Sequence, residues 1–154
     1  PQDLGTESTR RAVAVSLQRL QVTYLDSMLI HKPRCWPGAC QRQPEGTWQD
    51  SWKVLEELKD AGTVLAIGIC DVDEGLFSNL LQQRHKPTII QNWMDPFRQD
   101  RRIRSLCQRE GIRYQAYSTL GTQWVHFRGY KQNPVLFSPT LLAIAANHFA
   151  SVAE

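Results

Sequence analysis

The alternation of apolar runs and helical patterns along the 154 residues constrains the fold more than any other feature of the sequence. Short runs suited to strands recur at intervals of roughly 25 residues, and amphipathic stretches lie between them. The run at 64–69, "VLAIGI", is apolar throughout, which is typical of a parallel strand covered on both faces. Strands and helices in this order form right-handed βαβ units, so the sequence predicts an α/β fold with a parallel sheet.

Capping residues and glycines set the ends of the predicted elements. The predicted strands lie at 23–30, 64–69, 88–91 and 112–117, and the predicted helices at 8–21, 47–62, 74–84, 99–110 and 138–148. The predicted caps are Ser8 or Thr9, Thr47 with Asp50, and Asp73 at the N-termini, and Gly62 and Gly111 at the C-termini. The inward face of the first helix is predicted to carry Ala12, Val13, Leu17 and Leu20.

Composition narrows the class of protein. The 18 Lys and Arg residues against 15 Asp and Glu give a net charge of +3, and the arginines form no stripe, so we expect no nucleic-acid partner. No apolar segment approaches the roughly 20 residues that cross a membrane, and the polar N-terminus lacks the apolar core of a signal peptide. We therefore expect a cytoplasmic protein that is not bound to a membrane.

The four cysteines are Cys35, Cys40, Cys70 and Cys107, and their spacing matches no metal site, so we expect no metal. Cys35 and Cys40 lie in a loop rich in proline and glycine and could form a disulfide. In a reducing cytoplasm two free thiols are the favoured interpretation.

Two architectures fit a parallel sheet of this kind: an open doubly wound sheet and part of a (β/α)8 barrel. No G-x-G-x-x-G follows the first strand and no G-x-x-x-x-G-K-[ST] occurs, so the phosphate loops of doubly wound nucleotide-binding proteins are missing. Their absence favours the barrel.

Polar or aromatic side chains lie at the carboxyl end of each predicted strand. In a barrel these ends meet on one face, where the active site lies, so we interpret the residues as one candidate site. Each residue taken alone also has a structural interpretation, as a strand terminator or a core side chain. The candidates are His31, Cys70 with Asp71, Gln91 with Asn92, and Tyr117 with Ser118.

Four segments of the chain resemble the aldo-keto reductase superfamily, in the family's order. They are "SLQRLQVTYLDSMLIHKP", "LEELKDAGTVLAIGICD", "IIQNWMDP" and "GIRYQAYSTLG". Only the 121–137 loop lacks a clear counterpart. The resemblance implies a partial (β/α)8 TIM barrel with about four parallel strands alternating with helices. It also implies an oxidoreductase that uses NADPH, or NADH as the alternative, to reduce a small-molecule aldehyde or ketone by hydride transfer.

The resemblance also implies a role for each matching residue. His31 occupies the position of the catalytic histidine that hydrogen-bonds the substrate carbonyl. Gln91 matches the side chain that binds the nicotinamide carboxamide, and Tyr117 matches the aromatic ring on which the nicotinamide stacks. The turn that holds the cofactor pyrophosphate matches Ser118, Leu120 and Gly121.

Three departures from the family pattern affect this expectation. Cys70 and Asp71 stand where the family has Ser-Asn at the cofactor carboxamide, and an ionised Asp only accepts hydrogen bonds. Asp71 would also bring negative charge to the nicotinamide. Thr119 replaces a proline and Lys32 replaces a tryptophan, and both changes look tolerable.

The family's catalytic aspartate, tyrosine and lysine belong to strands that precede "LDSMLIH". We therefore expect residues 1–154 to be a single incomplete domain, the third helix through the seventh helix of the barrel, inactive alone and prone to associate through unpaired sheet edges. The main alternative is a non-catalytic regulatory or binding subunit of the same superfamily, favoured by Cys70-Asp71. An unrelated α/β enzyme with matching strand ends is the third interpretation.

Overall fold

The computed structural model describes residues 3–35 and 40–154, in which helices and strands alternate as the sequence predicts. The elements are α1 (Thr6–Leu20), β1 (Leu25–Ile30), α2 (Trp48–Asp60), β2 (Val64–Cys70), α3 (Glu74–Leu80), β3 (Ile89–Trp93), α4 (Arg101–Glu110), β4 (Arg113–Tyr117), α5 (Thr122–His126) and α6 (Pro139–Asn147).

The four strands form one sheet in the order β1-β2-β3-β4. β1 pairs with β2 and β2 pairs with β3 in parallel. Gly68 in the middle of β2 lies opposite Leu29 on one side and Ile89 on the other. The predicted α/β class with four parallel strands alternating with helices is confirmed.

Apolar side chains of β2 form the centre of the core, since this strand has a neighbour on both sides. Val64, Ile67 and Ile69 are fully buried, and Trp52 of α2 and Phe77 of α3 belong to the same cluster. Full burial of one such side chain contributes about 1.5–3 kcal/mol. The unbroken apolar run that predicted a doubly covered strand therefore supplies the core.

The caps predicted for α2 and α3 are confirmed. The Thr47 hydroxyl accepts from the amide of Asp50, and the Asp50 carboxylate accepts from the Thr47 amide at 2.8 Å. Asp73 accepts from the Leu76 amide at 2.8 Å, and this hydrogen bond, followed by one from Arg34, holds the pKa of Asp73 below its usual value. These caps depend on residues three positions apart, which explains why sequence alone predicts them.

The N-cap predicted for the first helix is wrong. α1 begins directly after Gly5, and Ser8 and Thr9 lie buried within the helix. Gly5 has a φ of 125°, and a Cβ at this position would lie 2.9 Å from the amide nitrogen of Gly46. Its own amide donates to Ser51 Oγ at 2.9 Å. The start of α1 is therefore set by contacts of Gly5 with Gly46 and Ser51, which lie about 40 positions further along the chain.

Two further expectations differ from the structure. The 121–137 segment contains a short helix, α5, that its sequence pattern does not predict. Leu20 belongs to the predicted inward face of α1 but is 63% exposed, whereas Val13 on the same face is buried.

The expectation of two free thiols in the loop after β1 is wrong, because Cys35 and Cys40 form a disulfide. Their Cα atoms are 5.9 Å apart, a separation that a disulfide spans. Residues 36–39, which the sequence places in the same loop, lie outside the described residues. Cys70 and Cys107 are buried and lie outside this disulfide.

The chain divides into two compact units. The first unit contains the residues up to Gln91 together with Arg102–Gln115, and the second contains Asn92–Arg101 and Ala116–Glu154. Of the candidate site residues, the first unit holds His31, Cys70, Asp71 and Gln91, and the second holds Tyr117, Ser118, Leu120 and Gly121.

Candidate active site

His31 directly follows β1, at the carboxyl end of this strand, as the sequence predicts. The residue is exposed and contributes to the wall of a cavity of about 240 Å³. Met28, Lys32 and Leu55 line the same cavity. A small molecule that enters this cavity would meet the imidazole, whose ring N–H can donate a hydrogen bond.

Cys70, the last residue of β2, and Gln91, in the middle of β3, face each other in the strand register. The predicted end of the third strand at Gln91 is wrong, because β3 continues to Trp93. The Cys70 thiol donates to Gln91 Oε1 at 3.7 Å. Burial, followed by the charge of Asp71, raises the pKa of the Cys70 thiol to about 11, while Lys32 acts in the opposite direction. The thiol is therefore neutral at physiological pH and holds one end of the Gln91 amide, so the amide NH2 is directed elsewhere.

The raised pKa of Cys70 predicts a loss of stability in alkali. The native thiol keeps its proton up to about pH 11, whereas an ordinary thiol loses it near 9.0, so the native state binds more protons between these values. The free energy of unfolding should therefore fall by roughly 2 kcal/mol more in the wild type than in Cys70→Ser as the pH rises from 9 to 11. Urea unfolding at several pH values measures the difference, and parallel pH profiles of the two proteins would contradict it.

Lys32 and Asp71 form an ion pair between the segments that follow β1 and β2. Lys32 Nζ donates to Asp71 Oδ2, and the side chains are 24% and 27% exposed. The sequence interpretation treated these two residues as separate departures from a family pattern. The structure shows that the charge of one is opposed by the charge of the other.

Two residues that directly follow strands have left-handed backbones although neither is glycine. Asp71 after β2 has a φ of 54°, and Ser118 after β4 has a φ of 52°. Such conformations cost of order 1 kcal/mol or more and concentrate at functional sites. The Asp71 conformation is fixed by its amide, which donates to the Gln91 carbonyl at 3.1 Å. This strain is independent of any family comparison and favours a functional interpretation of both strand ends.

In the second unit, Ser118–Gly121 forms a tight turn after β4. The Gly121 amide donates to the Ser118 carbonyl at 2.9 Å, and Asn133 Nδ2 donates to the Leu120 carbonyl at 2.7 Å. Gly121 has a φ of 77°, and a Cβ there would lie 2.5 Å from Val135 Cγ2. The predicted phosphate-binding turn is therefore a rigid one. Leu120 and Thr119 also line a cavity of about 440 Å³ that reaches His148 of the same unit.

The sequence interpretation missed a cluster of side chains around Asp95. Asp95 is 3% exposed, and its Oδ2 accepts from the indole N–H groups of Trp93 and Trp124, each at 2.8 Å. The rings of Trp93 and Trp124 meet edge to face at 5.2 Å, and the Arg98 guanidinium lies 4.9 Å from the Trp93 ring centre. The only sequence signal for this cluster is the turn-forming Asp95-Pro96 pair.

Within the described residues, no group of three or more His, Cys, Asp or Glu side chains is arranged to hold a metal ion. No helix in residues 3–35 and 40–154 has the length and apolar character needed to cross a membrane.

Parallel strands alternating with helices, with polar and strained residues after the strands, define an α/β protein of the barrel class. The sequence model of the Aldo/keto reductase family matches residues 1–153, and the chain belongs to this family. The resemblance seen in the four motifs is thereby confirmed.

Individual relatives agree with this assignment. The chain is 32% identical to glyoxal reductase of Bacillus subtilis (strain 168), over 99% of this chain and 49% of the relative. It is 31% identical to the NAD(P)H-dependent D-xylose reductase of Scheffersomyces stipitis, over 96% of this chain and 53% of that protein. The chain spans about half the length of the curated relatives it matches.

A solved structure shows the same fold. The crystal structure of an aldo/keto reductase from Brucella melitensis matches with a TM-score of 0.77 and 28% sequence identity. The match covers 98% of this chain and 51% of that one. The four strands and their helices therefore correspond to part of a barrel of this family, as predicted.

Proposed function

We propose that this chain is the central-to-C-terminal part of a carbonyl reductase that uses NADPH, or NADH as the alternative, to reduce a small aldehyde or ketone. The observation that carries the proposal is a group of hydrogen-bonding side chains in the first unit, which lie directly after β1, at and after the end of β2, and within β3. The group contains His31, Gln91, whose amide is oriented by Cys70, and Asp71, whose charge is opposed by Lys32. The names of the relatives, which are reductases of glyoxal and D-xylose, support the same class of reaction.

The chemistry of these side chains fits a nicotinamide. A carboxamide has an acceptor oxygen and a donor NH2, which match the Gln91 amide NH2 and the Asp71 carboxylate. In the second unit, considered by itself, Tyr117 is a half-buried aromatic ring at the end of β4, the kind of side chain on which a nicotinamide stacks. With Cys70-Asp71 in place of Ser-Asn, the Asp71 carboxylate still provides a hydrogen-bond acceptor for the carboxamide, and the Gln91 NH2 provides the donor.

His31 has one role in this proposal. When bound, NADPH would supply the hydride for the carbonyl carbon of the substrate. The His31 N–H donates to the carbonyl oxygen, which orients the substrate and stabilises the negative charge that develops there. The proton for that oxygen comes from the tyrosine of the family's tetrad, which none of the motifs in these 154 residues supplies. We therefore propose that the segment turns over only as part of a longer barrel, whose other strands also cover the sheet edges at β1 and β4.

Cofactor binding by the complete natural polypeptide that carries this chain tests the proposal. Titration with NADPH should quench tryptophan fluorescence, and Tyr117→Ala should raise the Kd about tenfold because stacking on one aromatic ring contributes about 1–3 kcal/mol. Tyr24→Ala is the matched control, since Tyr24 is 48% exposed and precedes β1, at the opposite end of the sheet strands from the candidate site. If the two variants bind NADPH with the same Kd as the wild type, the assignment of the Tyr117 ring to nicotinamide stacking is refuted.

A second candidate is a regulatory or binding subunit without turnover, favoured by Cys70-Asp71 in place of Ser-Asn. An NADPH consumption assay on the same protein preparation distinguishes this subunit from a reductase. Consumption of NADPH on addition of a small dicarbonyl or an aldose supports the reductase, whereas NADPH binding without consumption supports the regulatory subunit.

A further inference from the structure

Two arginine side chains of the second unit lie at one indole ring. Arg98 Cζ is 4.9 Å from the centre of the Trp93 ring, and Arg128 Cζ is 5.9 Å from the same centre. Both distances fall within the roughly 6 Å at which a guanidinium is attracted to an aromatic face. The fold therefore holds two like charges at one ring although they repel each other.

The Trp93 ring is a fixed support for these two groups. It ends β3, its indole N–H donates to Asp95 Oδ2 at 2.8 Å, and the Trp124 ring meets it edge to face. Tyr130 packs edge to face on Trp124 at 5.3 Å, and its amide donates to the Trp124 carbonyl at 3.0 Å. Contacts on both sides of Arg128 along the chain therefore place this residue against Trp93.

The charges of this cluster do not cancel. Asp95 contributes one negative charge, and its carboxylate accepts from the two indoles and from the amides of Phe97 and Arg98. In the part of the chain that the structure describes, neither Arg98 nor Arg128 forms an ion pair with a carboxylate. Two positive charges against one negative charge leave the cluster with a net positive charge.

The Arg98 side chain also has an unsatisfied donor. Its Nε is buried and has no hydrogen-bond partner among the described residues. A buried donor without an acceptor costs free energy, so a chain that retains one has a reason other than stability to keep the arginine. Arg98 is half-buried and Arg128 is exposed, so solvent reaches both side chains.

We propose that Arg98 and Arg128 form a binding site for a small oxyanion, which is a carboxylate or a phosphate group. A guanidinium presents its N–H groups in a planar fork that fits either group. A bound anion would offset the repulsion between the two arginines and would favour the placement of Arg128 against Trp93. Neither His31 nor the Ser118–Gly121 turn belongs to this site, so the inference does not depend on the proposed reduction.

Titration of the complete natural polypeptide with inorganic phosphate and with succinate tests the site. Tryptophan fluorescence is the readout, because Trp93 and Trp124 belong to the cluster, and sodium chloride keeps the ionic strength constant. Both anions should change the fluorescence to saturation. Arg98→Met and Arg128→Met should each raise the Kd about tenfold, because each removes hydrogen bonds between charged groups. Arg128 is exposed, so Arg128→Met leaves the core intact even if Arg98→Met does not.

Two further variants separate a specific site from the general charge of the protein. Arg128→Lys keeps the charge and loses the planar fork, so it should raise the Kd about threefold. Lys131→Met removes an exposed positive charge three positions further along the same loop, and it should leave the Kd within about twofold of the wild type. Near-ultraviolet circular dichroism checks that each variant keeps its fold.

A competition experiment identifies the source of the oxyanion. If NADH displaces phosphate, and Arg128→Met weakens both, the group bound at the site is a phosphate of the dinucleotide. If phosphate and NADH bind together, the ligand is a separate small anion, and either result supports the site. The inference is overturned if neither phosphate nor succinate binds, if both arginine variants bind as the wild type does, or if Lys131→Met is as weak as Arg128→Met. A wild type that consumes no NADPH refutes the proposed function and leaves these titrations unaffected.

Discussion

Asp95→Ala should lower the free energy of unfolding by about 4 kcal/mol, the largest effect we expect from a single substitution outside the sheet. The Asp95 carboxylate is buried and accepts four hydrogen bonds. Two come from the indoles of Trp93 and Trp124, and two come from the amides of Phe97 and Arg98 at 2.8 Å and 3.0 Å. Removing the carboxylate leaves the two indoles and the Phe97 amide without this acceptor, whereas the Arg98 amide keeps its hydrogen bond to the Asp95 carbonyl at 3.1 Å.

Urea unfolding followed by tryptophan fluorescence and near-ultraviolet circular dichroism measures the effect, since two of the rings involved are tryptophans. Asp95→Asn keeps one acceptor oxygen and should fall between the wild type and Asp95→Ala. Asp3→Ala is the control, because Asp3 is exposed and its pair with Arg42 at 3.2 Å is screened by solvent. A change of less than about 1 kcal/mol for Asp95→Ala would show that the cluster does not hold this segment together.

Gly68→Ala should lower the free energy of unfolding by about 3 kcal/mol, because this position in β2 has no room for a methyl group. A Cβ on Gly68 would lie 2.5 Å from the carbonyl oxygen of Ile89 and 2.9 Å from Leu29 Cγ. One of these is the backbone of the neighbouring strand, which can move only if the pairing of β2 with β3 is disturbed.

Gly75→Ala is the matched control for this substitution. A Cβ on Gly75 in α3 would meet only Asp73 Oδ1 at 3.5 Å, an ordinary van der Waals contact. Alanine is the better helix former, so this variant should be as stable as the wild type or more stable by up to about 1 kcal/mol. Thermal and urea unfolding of the two variants give the comparison, and equal stability would contradict the steric argument.

Local chemistry explains which parts of the fold the sequence could predict. The caps at Thr47 and Asp73 and the left-handed glycines at Gly62 and Gly111 each depend on a few neighbouring residues. The strand β2 was predictable because a strand covered on both faces needs an unbroken apolar run. His31 and Asp71 follow their strands as predicted, and Cys70 and Tyr117 end theirs, whereas Gln91 lies within β3 because that strand continues to Trp93.

Contacts between distant positions explain what the sequence could not predict. Lys32 and Asp71 are 39 positions apart, and Trp124 lies 29 positions from Asp95. No periodicity or short motif encodes such pairs. The start of α1 at Gly5 belongs to the same group, because it depends on a hydrogen bond to Ser51. The Cys35–Cys40 disulfide joins residues only five positions apart, and it was missed because free thiols were expected in a reducing cytoplasm.

The left-handed backbones at Asp71 and Ser118 have a consequence for engineering. Glycine adopts this conformation without strain, so a sequence chosen for stability alone would carry glycine after both β2 and β4. This chain forgoes that stability and presents a carboxylate and a hydroxyl instead. A thermostabilised version of the protein should therefore leave these two positions unchanged and gain its stability elsewhere.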